Sequence, residues 1–251
     1  MIDSPAEALL FEVAPPPTPV ERLLQLADQY TQHNDALDLL LPAASAPLPD
    51  TYATSAHRLV SATGAAIKVI QSERLYESDD LIEVIARLRQ LIVLADASID
   101  LNTRAARELT ALAPEAAVTS AVTLACETRR RRSPAPGGQL SAAHRTALAE
   151  IARGHVTASN SLGREFTRSR EPKVLMSTLR ALESKALAER TPGTARAAYV
   201  GGPPLDRVRL TSAGITALAS AIDAPSAGPR TAPGTAPRPL PAATQTTARS
   251  R

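Results

Sequence analysis

The sequence predicts a mainly α protein: an N-terminal α-helical bundle, a smaller C-terminal domain in which helices frame a β-hairpin, and a disordered tail. Three observations carry this. Apolar residues recur at three- and four-residue spacing through most of the first half. The second half breaks that period with the Gly/Pro-rich stretch around Gly201-Gly202-Pro203-Pro204, followed by a short alternating run. From Ala224 onward the chain is mostly Pro, Ala, Thr, Gly and Arg with no acidic residue, a composition that buries no core. The boundaries read as a flexible arm over 1–17, an acidic bundle over 18–132, a linker over 133–139, a folded unit over 140–223 and the tail over 224–251.

Thr18-Pro19-Val20-Glu21 is a helix start, with a capping hydroxyl, proline at the first helical position and the acid of a capping box. Val20, Leu23, Leu24, Ala27 and Tyr30 keep one face apolar until Pro42 stops the helix. A second helix is expected from Asp50 to about Tyr76, with Ala56, Leu59, Val60, Thr63, Ile67 and Ile70 inward. Ser78 caps a third, whose Leu81, Ile82, Ile85, Leu88, Ile92, Ala95 and Ile99 recur at helical spacing, with a more polar continuation to Leu112. Pro114 opens a fourth through Val118, Val122 and Ala125, ending in the run Arg129–Arg132.

Beyond the linker, Ser141 caps a helix carrying Ala143, Leu148 and Ile151, closed by Gly154. Residues 155–172 have no helical period and read as two short strands or a loop. A helix is expected from Val174 to Ala188, with Leu175, Leu179, Leu182 and Ala186 inward. Lys173, Ser177, Arg180 and Ser184 share another, polar and basic face. Val208 and Leu210 alternate with Arg207 and Arg209 as in an edge strand. Thr211 or Ser212 caps a last helix, Ala213–Ile222.

Charge is segregated. Residues 1–127 hold 8 Lys+Arg and 18 Asp+Glu, net −10; residues 128–251 hold 20 and 7, net +13. Such asymmetry points to a nucleic-acid or anionic partner for the basic half. With two Phe, four Tyr and no Trp, the chain lacks the aromatics for a stacking platform on single strands. The lone Cys126 excludes an internal disulfide and sits among Val122, Leu124 and Ala125 as a packing residue. No apolar run approaches the ~18 residues of a membrane span. An acidic N-terminus does not fit a secretory signal, so the chain is expected to be soluble and cytoplasmic.

The segments LeuArgAlaLeuGluSerLysAlaLeuAlaGluArg (179–190) and ArgLeuThrSerAlaGly (209–214) resemble winged-helix DNA-binding domains of the MarR-like kind, across residues 140–222. That family reads L-x-x-L-x-x-x-G-L-V-x-R and then R-x-x-L-T-x-x-G. The resemblance implies a sequence-specific double-stranded DNA-binding protein, a transcriptional regulator, with the helix after Lys173 as recognition helix and Thr191–Leu205 as wing. Two departures stand out. Ala186 replaces the glycine after the recognition helix, so that helix is expected to run on. The helix that should precede it is not visible in 155–172.

On this reading Arg164, Arg168, Arg170 and Lys173 contact backbone phosphate near the helix N-terminus. Ser177, Thr178, Arg180 and Ser184 face the major groove, with Arg180 suited to a bidentate contact to guanine. Arg196 and Arg207 reach an adjacent minor groove or phosphate. The N-terminal helices are expected to make a homo-oligomer, a dimer, and no membrane partner is implied.

Chemistry beyond binding is not indicated, so no enzyme, cofactor or metal is expected. His33, His57, His144 and His155 lack metal-ligand spacing. Asp79, Asp80 and Glu83 suit an acidic helix start. Gly201-Gly202-Pro203-Pro204 lacks the lysine and hydroxyl of a phosphate loop. The alternative is a non-catalytic protein-interaction adaptor whose winged helix is structural. A further expectation, from charge alone, is that the acidic half folds over the basic half.

Overall fold

The computed structural model describes residues 15–41, 50–73, 78–130, 140–161 and 163–223. Most of the arm, the linker over 133–139, the expected end of the second helix near Tyr76, Arg131, Arg132 and the tail lie outside these residues. The first half forms α1 (Pro19–Leu40), α2 (Asp50–Ser72), α3 (Asp79–Ala97), α4 (Thr103–Thr110) and α5 (Ala113–Arg129). The second half forms α6 (Ala142–Ala152), β1 (Thr157–Ser161), β2 (Arg164–Arg168), α7 (Met176–Ser184), β3 (Ala188–Ala195), β4 (Leu205–Leu210) and α8 (Ser212–Asp223). The architecture is mainly helical with a small four-stranded antiparallel sheet of order β2-β1-β4-β3.

The caps follow the sequence. Glu21 Oε2 accepts from the Thr18 amide at 2.8 Å while Thr18 Oγ1 accepts from the Glu21 amide at 3.3 Å, closing the capping box with Pro19 at the first helical position. Ser78 and Ser141 accept from Leu81 and His144, each at 3.2 Å. The continuation past α3 is a correction. The backbone turns at Ser98–Asn102, and Asn102 Oδ1 caps a separate α4 through the Ala105 amide at 3.0 Å, so the described residues of the first half form five helices where four were expected. The stretch Thr103–Arg129 is long and apolar enough by composition to cross a bilayer, but half of its most apolar window is buried inside the protein.

The two halves share one core. Leu23, Leu24, Ala27 and Tyr30 of α1 belong to the same buried cluster as Leu88, Val118 and Leu124 and as Leu148, Leu179, Val208 and Leu218. Helix α1 packs against α2, α4, α5, α8 and β3. Two polar contacts tie helices together in this interior. Tyr30 Oη lies 3.2 Å from Thr63 Oγ1 and 3.3 Å from the Leu91 carbonyl, and Asn34 exchanges two hydrogen bonds with Thr110 on α4.

Strand β4 corrects a second expectation. It is a central strand, and only its Val208/Leu210 side enters the core. Arg207 and Arg209 on its other side meet acids of α1. Asp35 accepts from Arg207 Nε at 2.7 Å, and Asp28 accepts from Arg209 Nε at 2.8 Å. Arg170 Nη1 adds a bond to Glu115 Oε1 at 2.7 Å. Part of the charge segregation is therefore spent inside the molecule, joining the acidic half to the basic one.

Candidate nucleic-acid interface

Helix α7 lies on one side of the sheet and is anchored by Leu179 and Leu182, both fully buried. Its length and inner face differ from expectation. Leu175 is the N-cap residue and 63% exposed, and Ala186 lies beyond the helix. The chain does turn sharply at the position where the resembled family has glycine. Ala186 adopts φ +52°, its amide donates to Glu183 O at 2.9 Å, and the Leu187 amide donates to Leu182 O at 2.9 Å. That pair of bonds is a Schellman ending with alanine in the left-handed position. The expectation that the helix runs on is overturned, because these two bonds satisfy carbonyls that an extra turn would otherwise have used.

Residues 155–172 resolve into the β1–β2 hairpin. Its register pairs Thr157 with Arg168, Ser159 with Phe166 and Ser161 with Arg164. Among the described residues of 155–172 there is no helix, so a hairpin leads into α7. The loop between β2 and α7 is held by Thr167 Oγ1 donating to Val174 O at 2.7 Å and by the Val174 amide donating to Ser169 Oγ at 2.9 Å.

The outer side of α7 carries Ser177, Arg180 and Ser184, all exposed, with exposed Lys173 just before the helix. Thr178 is half-buried at the flank. No side chain caps the N-terminus of α7. Arg180 is 64% exposed but engaged: its Nε and Nη2 donate to Glu165 Oε2 at 3.1 and 2.9 Å. Glu165 Oε1 accepts from Arg190 Nη1 at 2.9 Å, and Arg190 also pairs with Glu183. These bonds, Arg190 first and Arg180 second, hold the Glu165 carboxyl below the ordinary carboxylate range. Neither Glu165 nor Glu183 stands out in the sequence: Glu165 lies on the preceding strand, 15 residues from Arg180, and Glu183 reads as one more polar residue of α7.

The other candidates divide. Lys173, Ser177, Arg180 and Ser184 stand together. Arg196 is exposed near the end of β3, in the hairpin whose tip carries Tyr199 and a 98% exposed Val200. Arg164 and Arg168 are exposed on β2 with no acidic partner among the described residues. They alternate with Glu165 and Thr167, which face α7, so their side chains leave the opposite side of the sheet and do not join the α7 N-terminus as expected. Arg170 is tied to Glu115, which also meets His155 Nε2 at 2.6 Å while His155 Nδ1 meets Glu150 at 2.8 Å. Arg207 is not brought to this surface at all: its side chain is 12% exposed and donates to Asp35 and to the carbonyl of Gly154.

Among the described residues no group of three or more His, Cys, Asp or Glu is placed to hold a metal. A groove of about 640 Å³ lies between α1 and α2, bordered by Gln32, His33, Arg58 and Ala62. His33 Nδ1 sits 2.7 Å from Ser55 Oγ, whose hydroxyl donates to Tyr52 O at 2.8 Å. Ser55 must therefore accept, which fixes the proton on Nδ1 and leaves Nε2 a buried acceptor without a partner. Burial, with Arg107 adding to it, lowers the His33 pKa to about 4.

Compared with known protein families, with characterised proteins and with solved structures, the chain shows no significant match.

Proposed function

We propose that the protein binds double-stranded DNA as a regulator, with α7 as the helix that enters the major groove. The observation that carries this reading is the outer side of α7. It is open, free of large apolar groups past Leu175, and lined by Lys173, Ser177, Arg180 and Ser184. Hydroxyls and a guanidinium at that spacing suit base edges and phosphate. An N-terminus without a side-chain cap leaves amides to a phosphate, and the helix dipole adds to the attraction. The exposed Arg196 at the β3–β4 hairpin supports reading that hairpin as a wing reaching the neighbouring backbone. A β-hairpin in place of the preceding helix changes the scaffold behind α7 without covering its outer side.

Arg180 reads a base only by leaving Glu165. The Glu165 carboxylate stays paired with Arg190 when that happens, so the exchange strands no charge. Fluorescence anisotropy of the full chain on a random duplex, at low and high salt, tests the reading. Binding that weakens steeply with salt is expected. No binding at low salt defeats it and favours the adaptor. On a selected site, Arg180→Ala should cost ~1–3 kcal/mol and relax preference at one base pair; equal loss on all sequences removes Arg180 from base reading.

A further inference from the structure

Alternation along a strand fixes which side of the sheet each residue of the β1–β2 hairpin occupies. Glu165 and Thr167 lie on the α7 side, since Glu165 holds Arg180 and Thr167 bonds Val174. Arg164, Phe166 and Arg168 therefore lie on the opposite side. The register agrees: Arg168 stands opposite Thr157, and Thr157 opposite Arg207, whose side chain points to α1. Directly opposed residues share a face, so Ser159 and Ser161 join the two arginines and the phenylalanine.

This face has three properties together. Both arginines are exposed and lack an acidic partner among the described residues, whereas Arg170, Arg180, Arg190, Arg207 and Arg209 are all paired. Phe166 is 50% exposed between them. The strand that carries them is an edge strand of the sheet among the described residues. Protection of an edge explains charges on it, but not an exposed aromatic between those charges, which makes the edge stickier. A second copy of β2 is an unsuitable occupant: antiparallel pairing centred on Phe166 sets Arg164 against Arg168 of the other copy, like charge on like charge. Two unneutralised guanidiniums about 13 Å apart along a strand, with hydroxyls facing them, fit a repeating polyanion.

We propose that the outer face of the β1–β2 hairpin is a second duplex-binding surface, contacting phosphate backbone through Arg164 and Arg168 with Phe166 against the sugars. It rests on the reading of α7 as the first surface. The two surfaces face opposite sides of the sheet, so one straight duplex does not lie flat on both, and a single chain holds two duplex segments.

The test is a sandwich capture. Full-length protein is added to a bead-bound random duplex, and retention of a second, fluorescent duplex is measured against salt. In parallel, anisotropy measures binding to one duplex. The wild type should retain the second duplex. The double variant Arg164→Gln/Arg168→Gln should fold normally by circular dichroism, since both side chains are exposed. It should keep single-duplex affinity within about threefold while the salt slope of capture falls by about 2. Single-duplex binding without capture overturns the second surface, as does capture that survives the double substitution, which marks bridging by an oligomer. Equal loss in both assays puts the hairpin on the α7 surface and overturns it too. Binding of a labelled poly-glutamate peptide that the variant abolishes, with duplex capture unchanged, assigns the face to an acidic protein instead. Absence of any duplex binding by the wild type is the separate failure of the α7 reading.

Discussion

Replacing Ala186 by glycine should stabilise the protein, and the size of the effect can be worked from the ending of α7. Ala186 sits at φ +52° with its side chain exposed, so the methyl group contributes no burial to lose. A left-handed conformation costs a residue with a Cβ roughly 1–2 kcal/mol. Glycine removes that cost but gives the unfolded chain more freedom, which returns about 0.4–1 kcal/mol. The hydrogen bonds at this corner use backbone atoms of Ala186, including the carbonyl that accepts from Thr211 Oγ1 at 2.5 Å, and survive the change. The net expectation is a gain of about 0.5–1 kcal/mol. Urea denaturation should show a midpoint about 0.3 M higher with an unchanged m value. Ala186→Val should move the midpoint down, because a β-branched residue resists positive φ. A glycine variant that is neutral or less stable would refute the Schellman ending and with it the position of the C-terminal end of α7.

Three further outcomes are expected. Gly154 has φ +73°, and a Cβ there would stand 2.6 Å from Thr31 Oγ1 on α1; Gly154→Ala should cost about 2 kcal/mol or more in urea unfolding, and adding Thr31→Ala should recover part of it, whereas strict additivity would mean that α1 does not approach this turn. His33 stays neutral down to about pH 4 in the folded chain while its unfolded imidazole takes up a proton below ~6.5, so stability should fall as pH drops through that window, by up to about 3 kcal/mol. Asp35, whose carboxyl burial pushes up against the opposing pull of Arg207, acts in the other sense; the His33 share is read as the difference between wild type and His33→Gln at pH 7 and 4.5, and identical pH profiles would contradict it. Glu165→Gln should tighten duplex binding several-fold in anisotropy by releasing Arg180, and weaker binding would show that Glu165 aligns Arg180 rather than restrains it.

The helices of the first half were legible because caps and apolar periods are local. Thr18 with Glu21, Ser78 and Ser141 each mark a start that the structure keeps. The break before α4 was hidden because Asn102 caps from within a run whose periodicity does not lapse. In the second half, loss of helical period in 155–172 was visible, but the choice between strands and loop was not, since pairing is settled by β4, about fifty residues on. The alternation of Val208 and Leu210 with arginines identified a strand and misplaced it at an edge. Arginines facing solvent and arginines facing Asp28 and Asp35 look alike in sequence. The same ambiguity put Arg207 among the binding residues and concealed the tie between Arg180 and Glu165. Gly214 was legible as part of a motif, and its reason is spatial: a Cβ there would lie 1.9 Å from the Leu187 carbonyl oxygen, so α8 starts hard against the chain leaving α7.

The outer side of α7 is most directly tested by placing negative charge on it. Ser177 and Ser184 are exposed, so Ser177→Glu and Ser184→Glu should leave the melting temperature unchanged. Duplex affinity measured by anisotropy at low salt should then fall by at least about tenfold for each, from repulsion of phosphate. Affinity equal to that of the wild type, in variants that fold normally, would mean that DNA does not meet this side of the helix.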